Sequence, residues 1–104
     1  MDKIVCELLI EIVKDLEKTR EELSGYAYVR TIRNILTGNA NAIIAPAFCN
    51  KKYYGLMSNL SLQETEEMME HLLKTKQLTC LDTNHGRLYC SFAYHDAMCK
   101  KNNL

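Results

Sequence analysis

The spacing of apolar residues changes once along this chain, and the change limits the folds that it can adopt. Up to about residue 75 the apolar residues recur every three or four positions, which is the period of an amphipathic helix. Beyond residue 78, two short runs rich in Leu, Tyr and Cys flank a turn-forming segment at 82–86, and this pattern predicts a β-hairpin. The sequence therefore predicts an α+β domain that is mostly α and carries a hairpin near its C-terminus.

Helix-ending and helix-capping signals divide the helical part into segments. The clearest is the pair Ser61 and Glu64, which has the spacing of a capping box. A helical bundle closed by a two-stranded wing is the winged-helix plan, a variant of helix-turn-helix. The expected helices are a long N-terminal amphipathic helix over 3–23 stopped by Ser24 and Gly25, a second helix that ends at 37–39 and buries Val29, Ile32, Ile35 and Leu36, and a short helix over 40–45. A loop over 48–55 and an extended piece at 56–57 lead to the capped helix, which runs from 61 to about 75. Strands at 78–81 and 87–92, helical turns over 94–100 and a frayed tail over 100–104 complete the chain.

Length and composition favour a single domain over residues 1–104. No apolar run approaches the ~18 residues of a membrane span, and no secretory signal is evident, so we expect a cytoplasmic protein without a membrane partner. The five cysteines are odd in number and form no CxxC pair, so we expect reduced thiols. No zinc-ligand spacing and no nucleophile motif occur, and we therefore expect no metal, no cofactor and no catalytic residue.

Charge is unevenly distributed along the chain although the formal net charge is zero. No acidic residue occurs over 23–63, so the cations of that window would create a locally positive field that attracts phosphate, unless they are ordinary solvated side chains. Tyr53 and Tyr54 could add stacking surface for unpaired bases, or one of them could pack beneath the loop. The cations in the window are Arg30, Arg33, Lys51 and Lys52.

The capped helix has the opposite character. It holds four glutamates against one lysine, Lys74, and phosphates would repel such a face. We therefore do not expect this helix to read bases in the major groove, as the second helix of a helix-turn-helix motif usually does. Either its N-terminal end and the hairpin make the contacts, or the domain binds protein. The glutamates are Glu64, Glu66, Glu67 and Glu70.

Several motifs occur in a fixed order within residues 26–92. They are Ile35-Leu36-Thr37-Gly38-Asn39, Tyr54-Gly55, Leu60-Ser61 followed by Glu64, Leu72-Leu73, Leu78 and a hairpin glycine, Gly86. In this order they resemble the RQC domain, the winged-helix module that follows the motor domains of RecQ-type DNA helicases. The resemblance covers about two-thirds of the chain and leaves out residues 1–23. The chain has no GxxxxGK[ST] phosphate loop, so it resembles this module without the motor.

The resemblance implies a grip on duplex DNA near a strand junction, made by the end of the second helix, the start of the capped helix and the wing. Thr37 stands where the family has arginine, which removes a charged contact. His85 is the one residue of the expected wing tip, 83–85, that can stack on a base. The resemblance therefore supports DNA binding more strongly than strand separation. The phosphate contacts implied by position are Arg33, Thr37, Asn39, Ser61 and Arg87.

These features predict a non-enzymatic protein that binds duplex or fork DNA through backbone and shape, with a helicase or another protein as a possible partner. One alternative is a protein–protein interaction module, in which the acidic helix and the first helix are partner surfaces. Another is a small winged-helix transcription regulator that forms a homodimer through its N-terminal helix. The DNA-binding hypothesis requires that Arg30, Arg33, Lys51, Lys52 and Arg87 converge on one face.

Overall fold

Helices make up most of the chain, and one antiparallel hairpin follows the fourth of them. The computed structural model describes residues 2–19, 26–39, 42 and 46–102, with side chains described as far as residue 100. The α+β, mostly helical class predicted from the sequence is confirmed. In chain order the elements are α1 (Lys3–Lys18), α2 (Val29–Thr37), α3 (Pro46–Cys49), α4 (Leu62–Lys74), β1 (Thr79–Thr83), β2 (Gly86–Cys90) and α5 (Phe92–Asn102).

The predicted capping box is present at the start of α4. Ser61 Oγ accepts a hydrogen bond from the Glu64 amide, and Glu64 Oε1 accepts one from the Ser61 amide, each at 3.1 Å. At the end of α2, Gly38 adopts the left-handed conformation with φ of 64°, as the stop signal predicted. Because these signals depend on neighbouring residues alone, the sequence is sufficient to locate both helix ends.

The first helix ends earlier than predicted, whereas the predicted third helix is not tested. α1 ends at Lys18 rather than at residue 23, because the Thr19 amide bonds to Leu16 O and closes the last turn. The predicted stop at Ser24 and Gly25 lies outside the described residues. So does the short helix predicted over 40–45, apart from Ala42, which lies in a bend.

The segment between α2 and α4 also differs from the prediction. The expected loop opens with α3, which begins at Pro46, a residue suited to the first position of a helix. Leu56 and Met57 lie in turns and not in an extended piece. The reason is tertiary, because the amides of Gly55 and Met57 donate to the last carbonyls of α2, Ile35 O at 3.0 Å and Leu36 O at 2.9 Å.

The turn of the hairpin is shorter than predicted, and the helix that follows the hairpin is longer than predicted. β1 and β2 pair from Thr79↔Cys90 to Thr83↔Gly86, which leaves a two-residue turn. α5 extends over Phe92–Asn102, so the residues expected as a tail are helical as far as 102, and 103–104 lie outside the described residues. Side chains at the tip of the hairpin are exposed, whereas Leu88, Tyr89 and Cys90 are buried at its base.

The core lies where α1, α2, α4 and the base of the hairpin meet. Tyr53 and Phe48 from the connecting segment are fully or almost fully buried there. The N-terminal turn of α1 stands apart from it, with Ile4 66% exposed. Across the described part of the chain, no helix combines the length and the apolar character needed to cross a membrane. The main helical contributors to the core are Leu9, Ile12, Val13, Leu16, Ile32, Ile35, Leu36, Met69 and Leu72.

We expect Tyr53 to make the stability of the fold sensitive to alkaline pH. Its hydroxyl donates to Asp15 Oδ2 at 2.9 Å, and burial, this bond and the Asp15 charge all raise the pKa of Tyr53. A raised pKa in the folded state means that the stabilisation is complete below the ordinary pKa of about 10 and is lost above it. Tyr53→Phe should lower the free energy of unfolding by about 1 kcal/mol at neutral pH.

Urea denaturation at a series of pH values between neutral and strongly alkaline tests this expectation. Stability of the wild type should fall above about pH 10, and the fall should be shallower in Tyr53→Phe. Tyr26→Phe, at an exposed position, is the control. Equal alkaline slopes for the wild type and Tyr53→Phe would show that Tyr53 is not the group responsible.

Candidate nucleic-acid interface

The junction between α2 and α4 positions one arginine at the start of a helix. Arg30, Arg33 and Thr37 share one face of α2 because they are three and four residues apart. Arg33 Nε donates to Leu60 O at 3.1 Å, and Leu60 directly precedes the Ser61 cap. The two terminal nitrogens of Arg33 have no partner among the described residues. The hydrogen bond at Nε thus fixes one side of the guanidinium.

Three polar residues implied by the resemblance already make hydrogen bonds within the chain. Thr37 Oγ1 donates to Arg33 O at 2.8 Å, and Asn39 Nδ2 donates to Asn34 Oδ1 at 3.3 Å. Ser61 Oγ accepts from the Glu64 amide, and the Glu64 carboxylate lies over the start of α4. That carboxylate offsets the positive end of the helix dipole. Arg33 is therefore the residue of this junction with the chemistry to bind phosphate.

The two lysines of the connecting segment differ in their surroundings. Lys51 Nζ lies 3.6 Å from Asp15 Oδ2 on α1, so a carboxylate compensates its charge. Lys52 is exposed, and no described carboxylate pairs with it. The aromatic-plus-cation patch considered for this segment is not formed, because Tyr53 lies in the core and Tyr54 is half-buried. The alternative, that a tyrosine packs beneath the loop, is confirmed.

The hairpin carries the last two candidates. His85 lies exposed in the turn, where its amide donates to Thr83 Oγ1 at 3.1 Å. Arg87 forms an ion pair with Glu70 of α4, and the Glu70 charge is the main cause of the raised pKa of Arg87. The pair links the hairpin to α4, and the Glu70 carboxylate offsets part of the charge that Arg87 would present to a phosphate.

The described contacts do not bring the candidate cations together. Arg30 and Arg33 lie along α2, Lys51 lies beside α1, and Arg87 lies beside the middle of α4. Arg33, Lys51 and Arg87 share no partner among the residues that the structure describes. A footprint that uses all five cations thus has no support from these contacts, which strengthens the protein-interaction alternative. DNA binding stays a prediction, and it would depend on the cations that no described carboxylate neutralises.

The exposed face of α4 is acidic, as predicted. A shallow depression runs along it, lined by Gln63, Glu66, Glu67, Glu70, His71 and Lys74. A duplex could not place this face in its major groove without bringing several carboxylates close to phosphates. Contacts with DNA would have to come from the edges of α4.

One feature near the hairpin was missed at the sequence level. Tyr26 and Tyr28 stack with ring centroids 6.2 Å apart, and Tyr26 is 46% exposed. The Tyr28 hydroxyl is within hydrogen-bonding distance of Thr83 Oγ1 on the hairpin, at 3.2 Å. The alternation Tyr26-Ala27-Tyr28 was the available signal, because residues two apart in an extended segment point to the same side.

No group of three or more metal-ligating side chains occurs among the described residues, and none of the five cysteines forms a disulfide bond. No family model, no curated protein and no solved structure matches the chain. A function for the chain must therefore be inferred from the fold and from the chemistry of its surface.

Proposed function

We propose that the chain is a non-enzymatic winged-helix module that binds duplex or fork DNA through backbone and shape. Arg33 carries the proposal, because its hydrogen bond to Leu60 O holds a guanidinium at the junction of α2 and α4. The order of elements supports it, since two packed helices are followed by an exposed hairpin that serves as the wing. The resemblance to RQC domains points to the same parts of the fold.

Electrostatics favour an edge-on footprint. Arg30 and Arg33 line one side of α2, and Lys52 is exposed in the connecting segment. Arg87 is already paired with Glu70, so we expect it to contribute less to phosphate binding than the unpaired cations. Two or three phosphate contacts give weak binding that changes with salt, since each contributes a slope of about −0.9 in log K against log salt. Low sequence specificity follows, because phosphate contacts carry no base information.

Fluorescence anisotropy with blunt duplex, forked duplex and single-stranded DNA over a salt series tests the proposal. We expect duplex or fork binding that weakens with salt. Arg33→Ala should lower affinity about tenfold at low salt and reduce the salt slope by about one. Arg33→Lys should restore part of the loss, because it keeps the charge without the planar fork.

Lys14→Ala is the matched control, since Lys14 is an exposed cation on α1 away from the junction. It should leave affinity within about twofold, as expected for a cation outside the contact surface. Failure of the wild type to bind any of the three DNAs at low salt, where backbone contacts are strongest, would overturn the proposal. Equal losses in Arg33→Ala and Lys14→Ala would show non-specific attraction without a defined footprint.

The acidic face of α4 supports a second candidate, a protein-interaction module. Glu66 and Glu67 are exposed there, and Glu70 already accepts a guanidinium from within the chain. A partner for this face would present lysines or arginines, and charge complementarity would speed its association. A Glu66→Lys and Glu67→Lys double variant distinguishes the two functions. It should strengthen DNA binding if α4 lies near phosphates, and it should abolish capture of a basic protein partner.

A further inference from the structure

The segment that precedes α2 is hydrogen-bonded to β2 of the hairpin. Ala27 is fully buried, and Ala27 O accepts a hydrogen bond from the Tyr89 amide of β2 at 3.0 Å. The Tyr28 amide also donates to Tyr26 O at 2.9 Å. The rings of Tyr26 and Tyr28 stack on each other, so both side chains lie on the same side of this turn, while Ala27 is buried. The chain thus presents two tyrosines side by side from a backbone held by defined hydrogen bonds.

The two rings form a single aromatic surface next to the hairpin. Their planes are 24° from parallel, with centroids 6.2 Å apart, which is an offset-stacked arrangement. Contact between the Tyr28 hydroxyl and Thr83 Oγ1 fixes the inner ring. Tyr26, the outer ring, is 46% exposed. Little conformational entropy would be lost if a planar ligand stacked there, since the protein side is already ordered.

Charges on either side of this surface favour one kind of ligand. Arg30, exposed in the first turn of α2, follows the tyrosines and has no carboxylate partner among the described residues. On the inner side Tyr28 borders a groove of about 290 Å³ that also contains Glu66, Glu70 and Arg87. Glu70 is neutralised by Arg87, whereas Glu66 remains to repel phosphate there. A ligand with a planar base and an attached phosphate would therefore place the phosphate toward Arg30.

We propose that Tyr26 and Tyr28 form a stacking platform for an unpaired nucleobase of single-stranded DNA. Every base has a π-face, so such a platform accepts bases without strong sequence preference. The proposal rests on the DNA-binding function proposed above and adds a preference for a duplex that carries a single-stranded end. The platform lies beside the wing, where a strand that leaves the duplex would pass if the hairpin contacts the junction.

The experiment compares affinity for a blunt duplex with affinity for the same duplex carrying a single-stranded thymidine overhang. For the wild type we expect the overhang to raise affinity at least about fivefold. In Tyr26→Ala the ratio of the two affinities should fall to about one. Phe92→Ala is the matched control, because Phe92 is 47% exposed on α5, and it should keep the wild-type ratio.

A fluorescence readout keeps binding and stacking separate. The chain contains no tryptophan, so Tyr26→Trp introduces a single indole probe and retains an aromatic ring. We expect this variant to keep the affinity ratio and its emission to be quenched by single-stranded DNA. Quenching should be absent when the blunt duplex binds, because no unpaired base is available.

The outcomes separate failure of the platform from failure of the proposed function. Duplex binding without any gain from the overhang would overturn the platform and leave the function standing. Equal losses of the ratio in Tyr26→Ala and Phe92→Ala would also overturn it, and would indicate a general effect of lost aromatic surface. If single-stranded DNA quenched the emission of Tyr26→Trp while no duplex bound, the duplex-binding function would be overturned and the platform would be supported.

Discussion

Gly38→Ala is expected to lower the free energy of unfolding by about 2–4 kcal/mol. Gly38 has φ of 64°, a conformation that costs a residue with a Cβ about 1–2 kcal/mol. A Cβ at this position would also lie 3.1 Å from Gly55 Cα, which is a backbone atom that cannot rotate away. The end of α2 and the segment around Gly55 would have to separate, which would strain the hydrogen bond from the Gly55 amide to Ile35 O.

Gly55→Ala provides the matched control for this prediction. Gly55 has φ of 71°, but its nearest neighbour to a Cβ would be 3.9 Å away, which is ordinary contact. This variant should therefore lose about 1–2 kcal/mol, the backbone cost alone. Urea denaturation of both variants measures the difference. Equal losses would show that the close approach of the two glycines carries no energy of its own.

Local signals in the sequence were sufficient to predict several parts of the fold. Gly38 was recognised as a helix stop because its role depends on the residues just before it, and Ser61 with Glu64 was recognised for the same reason. Hairpin strands were found because turn formers lie directly between them. In each case the information is local, within about one helical turn or one hairpin.

The connecting segment was predicted less well because its structure depends on distant partners. Gly55 and Met57 bond to the end of α2, and Tyr53 bonds to Asp15 on α1. The sequence left two alternatives for the tyrosines of this segment, stacking on bases or packing beneath the loop, and the Tyr53 ring is buried in the core. No pattern along residues 48–57 records an acceptor that lies 38 positions away in α1.

The candidate site shows the same division. The absence of acidic residues over 23–63 predicted a positive region, and that statement about the sequence is correct. One carboxylate from outside the window nevertheless reaches a cation inside it, Asp15 at Lys51. Arg87, a candidate cation outside the window, is paired with Glu70. Charge counted along a chain cannot include neighbours supplied by folding. The positive charge of Arg33 is not offset in this way, because the partner of Arg33 is a backbone carbonyl and not a carboxylate.

Glu17→Ala is expected to release α5 from the rest of the domain. Glu17, near the end of α1, accepts two hydrogen bonds from Ser91, from the amide at 2.8 Å and from Oγ at 3.0 Å. Ser91 Oγ in turn accepts from the Tyr94 amide at 3.2 Å, which caps the first turn of α5. No side chain of α5 is fully buried over residues 92–100, so apolar packing holds this helix weakly.

Two hydrogen bonds to a carboxylate are together worth about 2–4 kcal/mol, so their loss is a large part of what holds α5 in place. Amide exchange within α5 should become about 30- to 1,000-fold faster, since about 1.4 kcal/mol corresponds to a factor of ten. Exchange in α4 should change little, because that helix is anchored by Met69 and Leu72 in the core. Glu7→Ala, at an exposed position of α1, should leave both helices unchanged. Unchanged exchange in α5 of Glu17→Ala would mean that contacts with β1, and not the Glu17 carboxylate, hold the helix against the hairpin.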